Sequence, residues 1–157
     1  MKGKIALPLN DRQFFTVAGG PYMAKPAGYI GVKMAKEINA PCEVSIPTAD
    51  FNVPDPKLMA RGLDEAVNRI LLGQPLYVGC MGGIGRTGLF LAILAKAFGV
   101  KDPVRYVRAN YIPHAVETTQ QMRYVFDFQV PSKTAKKIAI ARFFLRFFRK
   151  NSLTKAA

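Results

Sequence analysis

The sequence predicts an α/β fold with a central, mainly parallel sheet flanked by helices. Short apolar runs rich in β-forming residues alternate along the chain with longer segments of helical spacing, as in strand–helix–strand units. The chain has 157 residues, of which 50% are hydrophobic and 21% are charged. This length and composition suit one globular domain with a buried core.

The N-terminal half is predicted to hold three strands and two helices. The strands are expected at residues 5–9, 13–17 and 42–46, with a turn at 18–21. A helix is predicted over 28–39 from the spacing of Ile30, Met34 and Ile38. After an irregular, proline-bearing loop at 47–56, a second helix is predicted to run to about residue 72. It would begin with Asp55 as N-cap and Pro56 in the first helical position.

The C-terminal half is predicted to begin with a buried strand at 76–78, followed by a glycine-rich turn at 80–86. Residues 87–98 are strongly helix-forming and largely apolar, which indicates a buried helix. A short helix is expected from Asp102-Pro103 to about residue 108, followed by a loop at 110–115. Further helices are predicted at 117–128 and from Ser132 to about residue 150.

The glycine-rich turn combines groups that suit phosphoryl transfer to a cysteine. A strand that feeds a glycine-rich loop and then a helix can bind an anion through its backbone N–H groups. Cys80 faces this loop and is expected to ionise to the thiolate readily beside an arginine. Arg86 can offer two parallel N–H bonds to phosphate oxygens, and Thr87 places a hydroxyl near the sulfur.

The run Cys-Met-Gly-Gly-Ile-Gly-Arg-Thr-Gly at 80–88 resembles the C-x5-R-[ST] signature of cysteine-based protein tyrosine phosphatases, including the dual-specificity branch. The resemblance implies the phosphatase fold and a cysteinyl-phosphate intermediate. The alternative is a glycine-rich turn with an incidental cysteine. A Walker-type loop is excluded because no Gly-Lys-Ser/Thr occurs. Residues 83–88 fit G-x-G-x-x-G formally, but no acidic residue follows about 20 positions later.

The general acid is expected to be Asp50, in the loop 30 residues before Cys80. The loop resembles the W-P-D-F-G-V-P segment of tyrosine-specific members of the family, in which the aspartate is the acid. This chain keeps Phe51, Val53 and Pro54 and replaces the Trp and Pro with Thr48 and Ala49. The alternatives are Asp55, which is better explained as a helix cap, and a purely structural role for Asp50 in a turn.

Two positions depart from the family pattern. Residues 116–124 resemble its V-Q-T-x-x-Q-Y segment and place Gln121 on the second glutamine, but Glu117 replaces the first. Glu117 either holds the hydrolytic water or simply occupies a helix N-terminus, where an acid is favourable; the second interpretation is preferred. Gly79 replaces the histidine that usually precedes the cysteine, which predicts weaker activity.

The predicted catalytic residues are therefore Cys80, Arg86, Asp50 and Thr87. The predicted substrate contacts are Met81, Gly82, Gly83, Ile84, Gly85, Arg86, Phe51 and Gln121. No cofactor or metal is expected, because His114, Cys42 and Cys80 show no metal-ligand spacing. Cys42 is interpreted as a small buried strand residue, with a regulatory disulfide to Cys80 as the alternative.

The uncharged loop positions favour a phosphoprotein substrate, with phosphotyrosine ahead of phosphoserine or phosphothreonine. They disfavour inositol lipids, whose phosphatases often carry lysines there. The basic charge is also compatible with removal of a 5′-phosphate from RNA. A phosphate-binding module without turnover is the hypothesis from a different functional class.

The chain is divided into a phosphatase-like domain at 1–131 and a basic amphipathic helix and tail at 132–157, packed on the same domain. Residues 128–157 hold eight Lys/Arg and no acidic residue, out of a net charge of +13. One helix stripe is apolar (Ile138, Ala141, Leu145, Phe148, widened by Phe144) and another is basic (Arg142, Arg146, Arg149). This helix either packs on the core with a solvated basic face, or docks on an anionic membrane or a protein, or binds nucleic acid. We expect an intracellular protein, with peripheral membrane association as an alternative, because no signal peptide or long apolar span is found. A monomer is assumed.

Overall fold

Five strands form one sheet in the computed structural model, which describes residues 3–154 and the side chains of residues 3–145. The strands are β1 (Lys4–Pro8), β2 (Phe14–Pro21), β3 (Ile30–Ala35), β4 (Val44–Thr48) and β5 (Leu76–Cys80). Their spatial order is β1-β2-β5-β3-β4. Only the β1–β2 pair is antiparallel within the described chain, so the predicted mainly parallel sheet is confirmed.

The helices that flank this sheet are α1 (Pro56–Leu71), α2 (Gly85–Ala97), α3 (Pro103–Asn110), α4 (Thr119–Asp127) and α5 (Ser132–Thr154). Helix α1 packs against β3, β4 and β5, while α2 packs against β2, β3 and β5 and carries α3 and α4. Helix α2 is buried almost all round, as its apolar sequence predicts. Asp55 is the N-cap of α1 and accepts hydrogen bonds from the N–H groups of Lys57 and Leu58 at 2.9 and 3.1 Å.

The prediction of a helix over 28–39 is wrong, because this segment contains strand β3. The strand lies between β4 and β5, and most of its residues are buried. A parallel strand covered on both faces is apolar without strict alternation, so its apolar residues can fall by chance at helical spacing. Gly31, inside this strand, leaves room for the hydroxyl of Tyr22, which lies where a side chain on residue 31 would be.

The turn predicted at 18–21 is also wrong, because these residues form the end of β2. Gly19, Gly20 and Pro21 have the composition of a turn, yet they pair in parallel with β5, and Pro21 lies beside Cys80. The proline is tolerated because the pairing of β1 with β2 ends at Ala18, so Pro21 has a neighbouring strand on one side only. This pairing brings the end of β2 next to the glycine-rich loop.

Several predicted boundaries shift by about two residues. Strand β4 begins at Val44, so Cys42 is a half-buried loop residue and not the strand residue we expected. Cys42 and Cys80 are both free, without a bond between them. Helix α2 begins at Gly85 and α4 at Thr119, so Glu117 precedes the helix in which it was placed.

Helix α5 lies against α1 through polar and apolar contacts. The ammonium of Lys137 contacts both carboxylate oxygens of Asp64 at 2.8 Å, and the hydroxyl of Thr134 donates to the same carboxylate at 3.0 Å. Ile138 is buried, whereas Phe144, placed on the apolar stripe, is exposed. The side chains of Arg146, Phe148 and Arg149 lie outside the described residues. Within residues 3–154, no helix is both long and apolar enough to span a bilayer.

Candidate active site

The carboxyl ends of three parallel strands bring the predicted site residues together. Cys80 is the last residue of β5, Thr48 is the last residue of β4 with Asp50 just beyond it, and Glu37 follows β3. The carboxyl edge of an open parallel sheet is where ligands bind in α/β folds. Arg86 reaches this edge from the first turn of α2.

The loop from Cys80 to Arg86 is held in one shape by short contacts. The N–H of Gly83 donates to the Cys80 sulfur at 3.2 Å. Gly83 has a φ of 72°, and a side chain there would run into the backbone of Gly20 and Pro21, so glycine is required. The hydroxyl of Tyr111 donates to the carbonyl of Gly83 at 2.5 Å. Burial raises the pKa of Tyr111, which keeps this donor protonated.

Arg86 is an almost completely buried cation whose guanidinium is held by acids. Its two terminal nitrogens contact the two carboxylate oxygens of Glu37 at 2.9 and 2.7 Å, and one also donates to the Thr48 carbonyl at 2.9 Å. An Asp50 oxygen lies 3.0 Å from the other. Burial lowers the pKa of Arg86, but the Glu37 hydrogen bonds and the nearby charges of Cys80, Glu37 and Asp50 raise it overall. The guanidinium therefore remains a fixed positive charge.

Two buried donors at this site have no partner within the described part of the chain. They are the Nε of Arg86 and the hydroxyl of Thr87, which follows it in α2. Buried polar groups in proteins are nearly always hydrogen-bonded, and exceptions often lie at functional sites. An oxyanion held between Cys80 and Arg86 is the type of group that such donors accommodate.

Asp50 and Phe51 lie on an exposed loop beside Arg86. The Asp50 side chain is 60% exposed, and its Oδ1 accepts from the N–H of Phe51 at 3.1 Å. Phe51 has a φ of 56°, an unusual value for an aromatic residue, and its ring is mainly exposed. Asp55, the competing carboxylate, is occupied in capping α1. The geometry therefore places Asp50, and not Asp55, at the arginine.

Gln121, predicted to contact the substrate, is buried and engaged with protein groups. Its side-chain oxygen accepts from the N–H of Glu117 at 2.9 Å, and its amide nitrogen donates to the Asn52 carbonyl at 3.2 Å. The hydroxyl of Thr118, the N-cap of α4, reaches the Phe51 carbonyl at 3.4 Å. Gln121 and Thr118 therefore anchor the Asp50 loop, a role that the sequence pattern did not predict.

Glu117 lies just before Thr118, the N-cap of α4, but its carboxylate lies at the start of α2. Its carboxylate contacts the position where a side chain on Gly85, the first residue of α2, would lie. The residue before it, Val116, is buried with a φ of 59°, which is a strained backbone conformation for a β-branched residue. Arg108 holds this segment by donating to the carbonyls of Ala115 and Val116 at 2.9 and 2.8 Å.

The remaining predicted residues form the outer part of the loop. Met81 is exposed, Gly82 faces open space, and Ile84 is the N-cap residue of α2. Gly79 packs against the short 3-10 turn Tyr22–Ala24, and a Cβ there would lie 2.6 Å from the Cα of Tyr22. The position usually taken by histidine therefore has no room for a side chain. Within residues 3–145, no cluster of three or more His, Cys, Asp or Glu could hold a metal.

Sequence reasoning missed two residues of the site. Glu37, the main partner of Arg86, lay in the segment predicted as a helix, where an acidic residue is common on the solvent-exposed face and does not indicate a site. Tyr111, which holds Gly83, lay in a predicted loop. The available signal for Glu37 was its position just after an apolar, β-branched run, had that run been recognised as a strand.

The sequence matches a family model over residues 27–139. The model is described as the DSP-PTPase phosphatase domain of the Swiss Army Knife proteins, PTP-SAK. Two uncharacterised proteins of Methanocaldococcus jannaschii are similar over 83 residues, or 53% of this chain. One is 37% identical, with 56% of its length matched, and the other is 35% identical, with 52% matched. The chain thus spans about half the length of the curated relatives it matches.

The fold is similar to those of solved phosphatases. Tk-PTP in its active form gives a TM-score of 0.60 at 22% identity, covering 78% of this chain and 95% of that one. Kinase-associated phosphatase, with its catalytic cysteine replaced by serine, gives 0.60 at 16% identity, covering 80% and 92%. PTPMT1 in complex with PI(5)P gives 0.57 at 15% identity, covering 88% and 98%. At these identities the likeness shows the fold, which is that of the cysteine-based phosphatases.

Proposed function

This chain belongs to the PTP-SAK family of DSP-type protein tyrosine phosphatase domains, and we propose on that premise that it hydrolyses phosphomonoesters through a cysteinyl-phosphate intermediate on Cys80. The observation that carries the proposal is the pairing of this buried thiol with the buried, acid-held guanidinium of Arg86. The Gly83 N–H contacts the sulfur, while Arg86 Nε is available to a phosphoryl oxygen. A thiolate, amide donors and a fixed cation are what this reaction requires.

In the first step, the Cys80 thiolate attacks phosphorus, a sulfur–phosphorus bond forms, and the bond from phosphorus to the leaving oxygen breaks. Asp50, in its carboxylic acid form, donates a proton to that oxygen. Arg86 and the loop N–H groups hold the equatorial oxygens as negative charge redistributes among them. The exposed loop position of Asp50 suits a group that must meet a substrate arriving from solvent.

In the second step, water attacks phosphorus and the sulfur–phosphorus bond breaks, releasing inorganic phosphate. The Asp50 carboxylate accepts the proton of the attacking water, and the Thr87 hydroxyl donates a hydrogen bond to the departing thiolate. Thr87 is fully buried and lacks a protein partner within residues 3–145, so its hydroxyl is free for this role. Glu117 lies at the same end of α2, with its carboxylate beside Gly85.

The favoured substrate is a phosphorylated protein side chain, with phosphotyrosine ahead of phosphoserine and phosphothreonine. The exposed outer residues Phe51 and Met81 offer apolar surface to an aromatic group beside the phosphate. Residues 81–84 carry no charge, so they give a second phosphate, as on a phosphoinositide, no lysine to bind.

The direct test is hydrolysis of an aryl phosphate by the wild type, Cys80→Ser and Asp50→Asn across pH 5–8. Loss of turnover in Cys80→Ser is expected, because serine is a far weaker nucleophile at neutral pH. Asp50→Asn should lower kcat by about 10²–10⁴-fold, as for loss of a general acid. Cys42→Ser, which changes the other free cysteine, is the matched control and should leave kcat unchanged.

Two results would count against this function. One is a folded wild type that binds vanadate but turns over no aryl phosphate, which identifies a phosphate-binding module. The other is equal activity of the wild type and Cys80→Ser, which removes the cysteine from the chemistry.

A further inference from the structure

Among residues 3–145, most of the exposed large apolar side chains lie at the end of the molecule opposite Cys80. Five of them belong to one surface, which we call the α5 patch: Phe14, Leu72, Ile140, Phe143 and Phe144. Their exposed fractions run from 53% to 75%. Contiguous exposed apolar surface of this kind marks an interaction site.

These residues are neighbours because three elements meet there. Leu72 and Ile140 line one groove between α1 and α5, and Phe14 lines an adjoining groove that also reaches α5. The two grooves share Leu71 and Ala141. Phe143 and Phe144 follow Ile140 by three and four residues, which continues the surface along α5, and their rings meet edge to face at 6.0 Å.

The α5 patch is far from the phosphatase chemistry. Phe14 opens β2 and Leu72 follows α1, so both lie at the amino edge of the parallel strands. Arg142 of α5 donates to the carbonyl of Phe98, at the C-terminal end of α2, whereas Arg86 lies in that helix's first turn. At 1.5 Å per residue, the 13 residues of α2 separate these ends by about 20 Å.

We propose that the α5 patch docks on an anionic membrane surface. The segment that carries the apolar side chains of α5 is strongly basic, since residues 128–157 contain eight Lys/Arg and no acid. Exposed Lys136 lies on the same helix, and exposed Arg12 lines the groove of Phe14. Phenylalanine and isoleucine enter the boundary between headgroups and acyl chains, while lysine and arginine meet anionic headgroups. Nucleic acid would use the cations but leave Ile140 and Leu72 in water.

The test is co-sedimentation of the full chain with phosphatidylcholine vesicles, with and without phosphatidylserine. The wild type should bind the anionic vesicles and not the neutral ones. Phe143→Ser/Phe144→Ser should lower the partition coefficient about tenfold or more, because two aromatic anchors are lost. Phe126→Ser removes a similarly exposed phenylalanine on α4 and should bind like the wild type.

Three outcomes would overturn the proposal. The first is no binding of the wild type to anionic vesicles at low salt. The second is equal vesicle binding by the wild type and Phe143→Ser/Phe144→Ser, together with equal binding to single-stranded RNA, which identifies a general polycation. The third is lipid-free dimerisation that the double substitution abolishes, which assigns the patch to a second copy of the chain. Aryl phosphatase activity of each variant is measured separately, so this result is independent of the catalytic proposal.

Discussion

The orientation of Arg86 depends on a residue outside the cysteine-to-arginine motif. Glu37 contacts both terminal nitrogens, which leaves Nε toward the phosphoryl site without a protein partner among the described residues. A bidentate carboxylate fixes the plane of a guanidinium as well as its position. The Cys80 loop supplies the nucleophile and the donors, and Glu37 fixes the direction of the cation.

Glu37→Ala is therefore expected to lower kcat/KM by about tenfold, corresponding to ~1.4 kcal/mol of lost positioning. The loss is partial because the Thr48 carbonyl still accepts from Arg86. Glu65→Ala is the control, since Glu65 forms a comparable 2.7 Å contact with Arg69 away from the site. If kcat/KM is equal in the two variants and the wild type, Glu37 has no positioning role.

The contact between Glu37 and Arg86 should make the effect of Glu37→Ala on kcat/KM depend on pH. Hydrogen bonds from Arg86 hold the pKa of Glu37 below its usual 4.5, against the opposing effect of burial. The contribution of the pair is therefore complete above the ordinary pKa and is lost as pH falls through the lowered one. The difference in kcat/KM between the wild type and Glu37→Ala should be constant above about pH 5.5 and narrow in acid. A difference that widens in acid would contradict this assignment.

At the residue scale, the sequence was informative where the chemistry lies in one short run. Cys80, Arg86 and Thr87 are close together in the chain, so their arrangement is local and can be predicted. Glu37 and Tyr111 reach the site through the fold, so the short run around Cys80 gives no sign of either residue. Gln121 was predicted to contact the substrate. In the structure its side-chain amide connects Glu117, before α4, to Asn52 in the Asp50 loop.

At the scale of elements, helix α1 and strand β3 show what sequence patterns can predict. Helix α1 has an N-cap, a proline in its first turn and one exposed face, so its signals are local. Strand β3 is covered on both faces, so its pattern depends on neighbours that are distant in sequence. Because this segment was predicted to be a helix, Glu37 was not recognised as a residue at the carboxyl end of a strand.

The close contact between β5 and the turn Tyr22–Ala24 predicts a cost for any side chain at position 79. Gly79→Ala should destabilise the fold by about 1–3 kcal/mol, because the new Cβ meets the Tyr22 backbone, which cannot rotate away. Gly82→Ala, in open space on the catalytic loop, should change stability by less than about 0.5 kcal/mol. Urea unfolding of both variants measures the difference, and equal stabilities would refute the close packing at Gly79.

At the scale of the whole molecule, Asp64 connects the C-terminal helix to the rest of the fold. Lys137, Thr134 and Lys133 all contact its carboxylate, which is largely buried. Burial raises the pKa of Asp64, but these three hydrogen bonds together lower it below its usual 3.8. The contact therefore stabilises the protein above that value and is lost as pH falls through the lowered pKa.

Asp64→Asn should accordingly lower the free energy of unfolding by about 1–3 kcal/mol at neutral pH. The difference in free energy of unfolding between the wild type and this variant should narrow as the pH falls below 3.8 and through the lowered pKa of Asp64. Glu65→Gln, which alters the neighbouring half-exposed pair with Arg69, should cost under about 1 kcal/mol. A gap that persists unchanged in acid would show that the charge of Asp64 is not what holds α5.

The most direct measurement of the central claim is trapping of the phosphorylated enzyme. The wild type is mixed with an aryl phosphate that carries the radiolabel on phosphorus. The reaction is quenched in acid within the first turnover. A cysteinyl-phosphate mechanism predicts label on the protein, located on the peptide that contains Cys80. The label should be absent from Cys80→Ser, and Cys42→Ser should be labelled like the wild type. Turnover without any labelled protein in this experiment, or label on another residue, would contradict a cysteinyl-phosphate mechanism.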